Sequence, residues 1–527
     1  MPSKASDISS PALAHTPTIL VVLIVIIAVA LPRFTMVGGL PTSDEGFYAY
    51  YAQAIQASLT AGRGLPDTGT LMLYPLLVNW VFSLNINSLV ALRLVDMLVA
   101  LLSGYALYRI IEVESRSRVG AMLIAGLFLF TMNQPAFIQY GFKNSIYAAY
   151  LPLFAALGLG LTADAREATC RWMGIGALLS LAVLLRETFL PFMVVGSLAV
   201  LASHGVRRFG QLILGAVGAG LLTVSVILAA RGSIVGVYDG YRDASLLFAA
   251  VADKRVELFF SSGRQALSEA ILPVIVASIG LIVTLIRSRS DKRITSWSKL
   301  GFWLAVTLVP LIEPALKIGF PYHFGVCLVG MAGLTCLGWR NVSERSSSII
   351  WKYLTIGVLG IVLPVQIIPR LATLEAFWHQ SREVLASSFK SRYWPANLTE
   401  KTNYLLAAKI IRQVTPPGGT VSISGFMYTL YPLTGYLPPK PEFANLSATM
   451  IKLGLSTSRL REMLLRCPPD VLMTTVRTEW PGASELLAAV RETGIYEQIA
   501  DIPVSNDRAY GSFGGGVFRV TSHLPCK

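Results

Sequence analysis

The sequence predicts a polytopic α-helical membrane protein with a water-soluble α/β domain at its C-terminal end. Three observations lead there. Apolar residues make up 54% of the chain and charged residues 14%, with a mean hydropathy of +0.59, a balance foreign to an ordinary soluble protein of 527 residues. The apolar residues gather in runs of spanning or near-spanning length, separated by cationic connectors. After Arg370 this pattern gives way to short amphipathic helices, β-rich stretches and glycine- or proline-marked turns.

The first run, Thr18 to Leu31, has no A-x-A-like exit and precedes further spans, so it reads as a retained helix rather than a cleaved signal peptide. Further runs fall at 89–111, 119–133, 145–162, 172–203, 211–230, 269–286, 300–316, 322–339 and 350–369. Arg186-Glu187 interrupts the 172–203 run and cations flank it, which suits two short helices that go out and come back. The expected count is about eleven passages across a hydrocarbon core. Residues 1–370 are thus read as the membrane domain, with a long first loop at 38–88, and residues 371–527 as the soluble domain.

The excess of 44 Lys and Arg over 30 Asp and Glu would suit nucleic acid if it formed one patch. It is dispersed instead into connectors around Arg109/Arg116/Arg118, Arg166/Arg171, Arg207/Arg208, Arg287–Lys299 and Arg340/Arg345/Lys352, alternating with cation-poor ones apart from the longer connector at 231–268. That is the positive-inside pattern, so the charge reports topology and the partner it implies is a lipid bilayer, not nucleic acid. The cation-rich set is expected in the cytoplasm of a cell (inner or plasma) membrane. The 38–88 loop, the 134–144 loop, the 231–268 loop and everything after Arg370 are then extracytoplasmic.

In the C-terminal part, a helix from Asn403 to Val414, a Pro416–Gly419 turn, strands at VSIS and PDVLMTTV, a helix at SELLAAVRETG and a terminal hairpin at GSFGGGVFRV are expected. The Gly514–Gly516 run is not a phosphate loop, because it lacks the Lys-Ser/Thr ending and the following helix. Five cysteines show no metal-ligand spacing; Cys467 and Cys526 can pair if their segment is extracytoplasmic.

Asp44 and Glu45, just beyond the first run in PTSDEGFYAYYAQAI, are the strongest pointer to chemistry. Two acids at the mouth of a spanning helix are costly to place and serve chiefly catalysis or ion handling. Downstream, GFYAYYAQAIQAS and LMLYPLLVNWVFSL, with Tyr74 and Trp80, read as interfacial segments forming a shelf for the acids at headgroup level. Arg93 and Asp96, one turn apart in the second span, are expected to pair.

The Asp-Glu pair after the first helix, TSDEGFYAYYAQ, YPLLVNW, ALRL at the start of the second span, and GFMYTLYPLTGYLPP in a soluble C-terminal domain together resemble the GT-C superfamily of membrane glycosyltransferases. Within it the chain is similar to the polyprenyl-phosphate-sugar-dependent branch, which contains protein O-mannosyltransferases and the lipid A aminoarabinose transferase. The resemblance implies a GT-C-like bundle and inverting transfer of a sugar from a polyprenyl-phosphate donor to a glycan, lipid or protein acceptor on the outer face. Asp44 is similar in position to the family's catalytic carboxylate and is assigned as general base; Glu45 is given a positioning role or a weak hold on a divalent metal, the one cofactor the reading admits. In the aminoarabinose transferases a Glu-Lys pair precedes the loop proline, whereas this chain has Leu73-Tyr74 before Pro75, so those roles do not carry over. The donor phosphate is assigned to outward cations, Lys143 first, then Arg186, Arg63, Lys317 and His323, with Tyr74 beside them.

Two rival classes are weighed. A lipid or sugar transporter or flippase would also hold charges among many spans, but its related halves are not visible here. An envelope polysaccharide polymerase or ligase is not expected to carry its acids directly after helix one or a soluble domain at its C-terminus.

Overall fold

The computed structural model describes residues 19–39, 43–66, 73–138, 144–163, 168–236, 238, 255–290, 294–316, 320–345, 364, 368, 375, 378–379, 381–394, 403–425, 427–475, 482–507, 511–522 and 526; the side chains of 43–44, 144–147, 289–290, 294–296, 344–345, 505–507 and 511–513 are not described. Among the described residues, six helices are long and apolar enough to cross a membrane: Ile19–Met36, Ser88–Ser115, Glu187–Ala229, Arg255–Ser288, Trp297–Leu316 and Pro321–Ser343. Four shorter apolar helices, Leu73–Ser83, Arg118–Met132, Ala148–Leu161 and Thr169–Leu185, accompany them. At 1.5 Å per residue the 17-residue helix Thr169–Leu185 reaches about 26 Å, short of a hydrocarbon core of about 30 Å, whereas the helix that holds Ala148–Leu161 runs from Asn144 and has 18 residues. Of the expected span at 350–369, only residues 364 and 368 are described. The 231–268 loop is also shorter than expected, because its second half already belongs to the helix Arg255–Ser290.

Local signals explain where the helices start and turn. Asn87 caps Ser88–Ser115 by accepting from the Val90 amide at 3.1 Å, and Ser117 caps Arg118–Met132 by accepting from Gly120 at 3.1 Å. Between these helices Arg116 takes a left-handed conformation, φ 53°. The interrupted 172–203 run is two antiparallel helices: Thr169–Leu185 ends at Arg186, and a short turn at Glu187–Phe189 starts the return. The return helix breaks at Gly205, whose φ of 79° is open to glycine at little cost. Beyond this break the chain crosses Thr169–Leu185 at glycine contacts: a Cβ on Gly176 would lie 1.8 Å from the Leu212 carbonyl oxygen, and one on Gly215 would lie 1.9 Å from that of Met173. Of the GAVGAG run it is Gly215 that makes this approach; a Cβ on Gly218 or Gly220 would meet open space.

The bundle has two unlike ends. Arg186 and Ala230 both meet the 43–65 segment, Arg186 through Tyr48 and Ala230 through the Leu65 amide at 3.3 Å. Basic connectors gather at the other end, where Lys299 reaches Glu114 at 2.6 Å and Arg287 donates to the Asn341 carbonyl at 2.8 Å. Trp339 packs on Gly120 there, and the Cys336 thiol lies 3.9 Å from the Ile111 carbonyl oxygen.

The soluble part follows the expected elements: helix Asn403–Val414, strands β1 (Val421–Ile423), β2 (Val471–Met473), β3 (Tyr496–Asp507) and β4 (Gly511–Val520), and helix Ala483–Glu492. The sheet order is β1-β2-β4-β3, with β1 and β2 parallel and β4 antiparallel to both its neighbours. The terminal hairpin is bulged, its register shifting between Gln498 and Ala500 and between Ile502 and Ser505. The glycine run serves backbone approach: Gly515 has φ 154°, and a Cβ there would lie 1.6 Å from the Thr474 carbonyl oxygen on the neighbouring strand. A core of Phe443, Leu446, Leu460, Leu464, Leu472, Leu486 and Phe518 fills one face.

Cys467 and Cys526 form a disulfide that closes a separation of 59 residues. By the chain-entropy relation, a loop of that length stabilises the fold by roughly 4 kcal/mol. Cys467→Ser should therefore lower the unfolding midpoint of the C-terminal domain in calorimetry and abolish the mobility difference between reduced and oxidised protein. An unchanged midpoint would contradict the cross-link.

Candidate functional site at the first loop

The helix Ser43–Thr60 opens the site. Asp44 lies in its first turn, and the Asp44 side chain lies outside the described residues. Glu45 is fully buried and takes both donors of a guanidinium fork: Arg93 Nε to Oε1 at 2.6 Å and Arg93 Nη2 to Oε2 at 2.7 Å. Arg93 Nη1 donates to the carbonyls of Val37 at 2.8 Å and Gly39 at 2.6 Å. The expectation that Arg93 pairs with Asp96 is thereby corrected. One helical turn places the two side chains on the same face, but the fork meets Glu45 across helices, and Asp96 Oδ1 instead accepts from the Tyr74 hydroxyl at 2.9 Å.

Around this pair runs a buried polar row. Tyr74 stacks edge-on against Tyr48 with centroids 5.7 Å apart, and the Tyr48 hydroxyl accepts from Arg186 Nη1. Burial works against the charge of Arg186, yet Tyr48, Glu187, Tyr322 and Glu313 outweigh it and hold the guanidinium more firmly protonated than usual. His323 stands next to this group: its Nε2 lies 3.8 Å from Glu313 Oε1, and its Nδ1 accepts from the Phe320 amide at 3.2 Å. On the far side of Asp96, Arg33 is fully buried and donates from Nε to Asn133 Oδ1 at 2.6 Å. Asp96 Oδ2 and Arg186 Nε are buried without a hydrogen-bond partner among the described residues.

Of the residues singled out in the sequence, the structure brings Glu45, Tyr74, Arg186 and His323 to this one end of the bundle. Arg63 is exposed just beyond the far end of the same helix, whose last residue, Thr60, lies about 24 Å along the axis from Asp44 at 1.5 Å per residue, so it is no partner for the acids. Lys143 and Lys317 lie outside the described residues. Sequence reasoning passed over Arg33, Tyr48, Asp96 as a site residue, and Glu313. An arginine and a glutamate inside otherwise apolar runs, in ALPRFTM and VPLIEPAL, were the signal available for two of them.

The aromatics of the loop are not an interfacial shelf. Phe47, Tyr48, Tyr50 and Tyr51 are buried, and three of them meet the C-terminal domain: Phe47 packs edge-on to Tyr428 at 5.0 Å, Tyr50 lies 4.5 Å from Tyr431, and Tyr51 lies 6.3 Å from Tyr428. Burial first, then the neighbouring phenols, holds the hydroxyls of Tyr50 and Tyr431 well above the ordinary range, so these rings meet as neutral groups. Aromatic pairs of this kind contribute about 0.5–1.5 kcal/mol each beyond their buried area. Trp80 and Leu77, by contrast, are exposed on the neighbouring short helix, as an interfacial segment requires.

Gly46 sets the distance between loop and domain. A Cβ there would lie 2.2 Å from both Cα and Oγ1 of Thr429, a backbone clash that no rotamer relieves. Within a helix Gly→Ala ordinarily stabilises by about 1 kcal/mol. Gly46→Ala should do the reverse, lowering the thermal midpoint through overpacking worth about 1–3 kcal/mol and exposing the domain junction to limited proteolysis. A raised midpoint would show that the two parts do not meet at Gly46.

Among the described residues no group of three or more His, Cys, Asp and Glu is placed to hold a metal ion. No protein-family model matches the chain, and no curated protein matches it.

Proposed function

We propose that this protein is an inverting glycosyltransferase of GT-C type. It moves a sugar from a polyprenyl-phosphate donor to an envelope glycan, lipid or protein acceptor at the outer face of a cell membrane. Asp44 is the general base that takes the acceptor hydroxyl proton, and the departing phosphate is stabilised by cations rather than by a proton donor. Glu45, held by Arg93, positions the acidic motif. Arg186 is the cation within the buried row, and Lys143, in the 134–144 connector of the sequence, is assigned to the phosphate with it.

The observation that carries the reading is the buried row itself. Acid, phenols and guanidinium from four separate segments converge where the first loop meets the soluble domain, and Asp96 Oδ2 and Arg186 Nε are left without partners among the described residues. Buried polar atoms in that state are what a sugar phosphate, rich in hydroxyls and anionic oxygens, would satisfy. Two further observations support the outward placement. The site lies at the end of the bundle opposite the basic connectors, which the positive-inside rule puts in the cytoplasm, and the C-terminal domain on the same side carries a disulfide. The helices paired at Arg186 and the break at Gly205, taken with the span expected from the sequence at 350–369, agree with about eleven passages and with an outer position for the loop and the domain.

Deletion of the gene tests the function. Mass spectrometry of envelope glycans, glycolipids and glycoproteins should show one sugar lost from one acceptor class, with the lipid-linked donor accumulating. An envelope unchanged in sugar content, or a donor trapped on the cytoplasmic face as expected of a lost flippase, would refute the proposal.

A further inference from the structure

We infer that Arg93 is the positioning residue of the acidic motif, tying together the chain on both sides of Asp44; the inference rests on the proposed role of Asp44. One guanidinium spends Nη1 on the carbonyls of Val37 and Gly39, which precede Asp44, and Nε and Nη2 on the carboxylate of Glu45, which comes directly after it. Arg93 is fully buried in Ser88–Ser115, a helix fixed at its start by the Asn87 cap, so the anchor point is rigid.

A strap from the soluble side covers the arrangement. The Gly38 amide donates to Ser381 Oγ at 3.0 Å, the Asn87 amide to the Ser388 carbonyl at 2.9 Å, and Arg392 Nε to Asn85 Oδ1 at 2.8 Å. Trp394 then lies with its ring centroid 5.8 Å from the Arg93 guanidinium carbon. Water is thus kept from the fork, and charge-assisted bonds in such surroundings hold their geometry firmly. Only a planar fork of five donors can serve two carbonyls and both carboxylate oxygens together; an ammonium keeps the charge but not the directions.

Arg93→Lys separates geometry from charge. In the full-length protein in lipid nanodiscs, amides of the 37–47 segment should exchange hydrogen faster while the rest of the chain keeps its protection. Transfer should show kcat reduced about a hundredfold, as small misplacements of reacting groups produce, with donor KM little changed. Should Arg93→Lys not fold, Glu45→Asp, which retracts the carboxylate by one methylene and keeps both charges, carries the same expectation. Unchanged exchange in 37–47, or faster exchange with wild-type kcat, would overturn the positioning role alone. Wild-type protein that transfers no sugar would refute the parent reading, and the inference with it, while leaving the exchange result as a fact about the tether.

Discussion

Asp44→Asn is expected to lower sugar transfer by roughly a hundred- to ten-thousand-fold, the contribution of a positioned general base. The substitution keeps the shape of the side chain and removes its capacity to take a proton. Asp44 lies in the first turn of Ser43–Thr60, where a carboxylate gains about 0.3–1 kcal/mol from the helix dipole, so the fold should lose little. Single-turnover transfer, donor binding and the thermal midpoint, measured side by side, separate these effects. Transfer should collapse while the other two barely move. Wild-type turnover in Asp44→Asn would remove the base from the mechanism.

Its neighbour should behave in the opposite way. Glu45→Gln leaves the Arg93 charge fully buried and uncompensated, and breaking a buried ion pair from one side costs on the order of 3–5 kcal/mol. That is a large share of the 5–15 kcal/mol by which proteins are ordinarily stable, so poor yield and a sharply lowered midpoint are expected before any kinetic effect can be read. The double variant Glu45→Gln with Arg93→Met removes both charges and should recover part of the loss. Full recovery is not expected, because the Val37 and Gly39 carbonyls then lack their donor. If Glu45→Gln is as stable as wild type, the pair is not the anchor of this loop. Two adjacent acids thus separate cleanly, one read out in rate and the other in stability.

Much of the fold was legible in the sequence because it rests on signals that act locally. The break at Arg186-Glu187 is a charged dipeptide inside an apolar run, and the terminal hairpin is written in alternating residues around a glycine run. Glu45 was legible for the same reason, as a charge beside an apolar run, and it is found buried against Arg93. The features that stayed hidden depend on contacts between distant segments. Nothing in the spacing of Arg93 and Asp96 reveals that the guanidinium reaches back 48 residues to Glu45. Nor does GFYAYYAQAI distinguish rings that face lipid headgroups from rings that face Tyr428 and Tyr431, since aromatic patterning is the same in both environments. Among the described residues six helices are long and apolar enough to cross and four apolar ones are shorter, because composition marks an apolar run without fixing the length of the helix that holds it.

The most direct measurement is donor turnover by the purified full-length protein in nanodiscs supplied with a polyprenyl-phosphate sugar and a panel of glycan, glycolipid and peptide acceptors. Wild type should release polyprenyl phosphate and pass the sugar to one acceptor class with inversion at the anomeric carbon, while Asp44→Asn prepared alongside should bind the donor and release almost nothing. Release that persists in Asp44→Asn, or a wild-type protein that binds donor lipid without ever cleaving its sugar–phosphate bond, would contradict glycosyl transfer at this site.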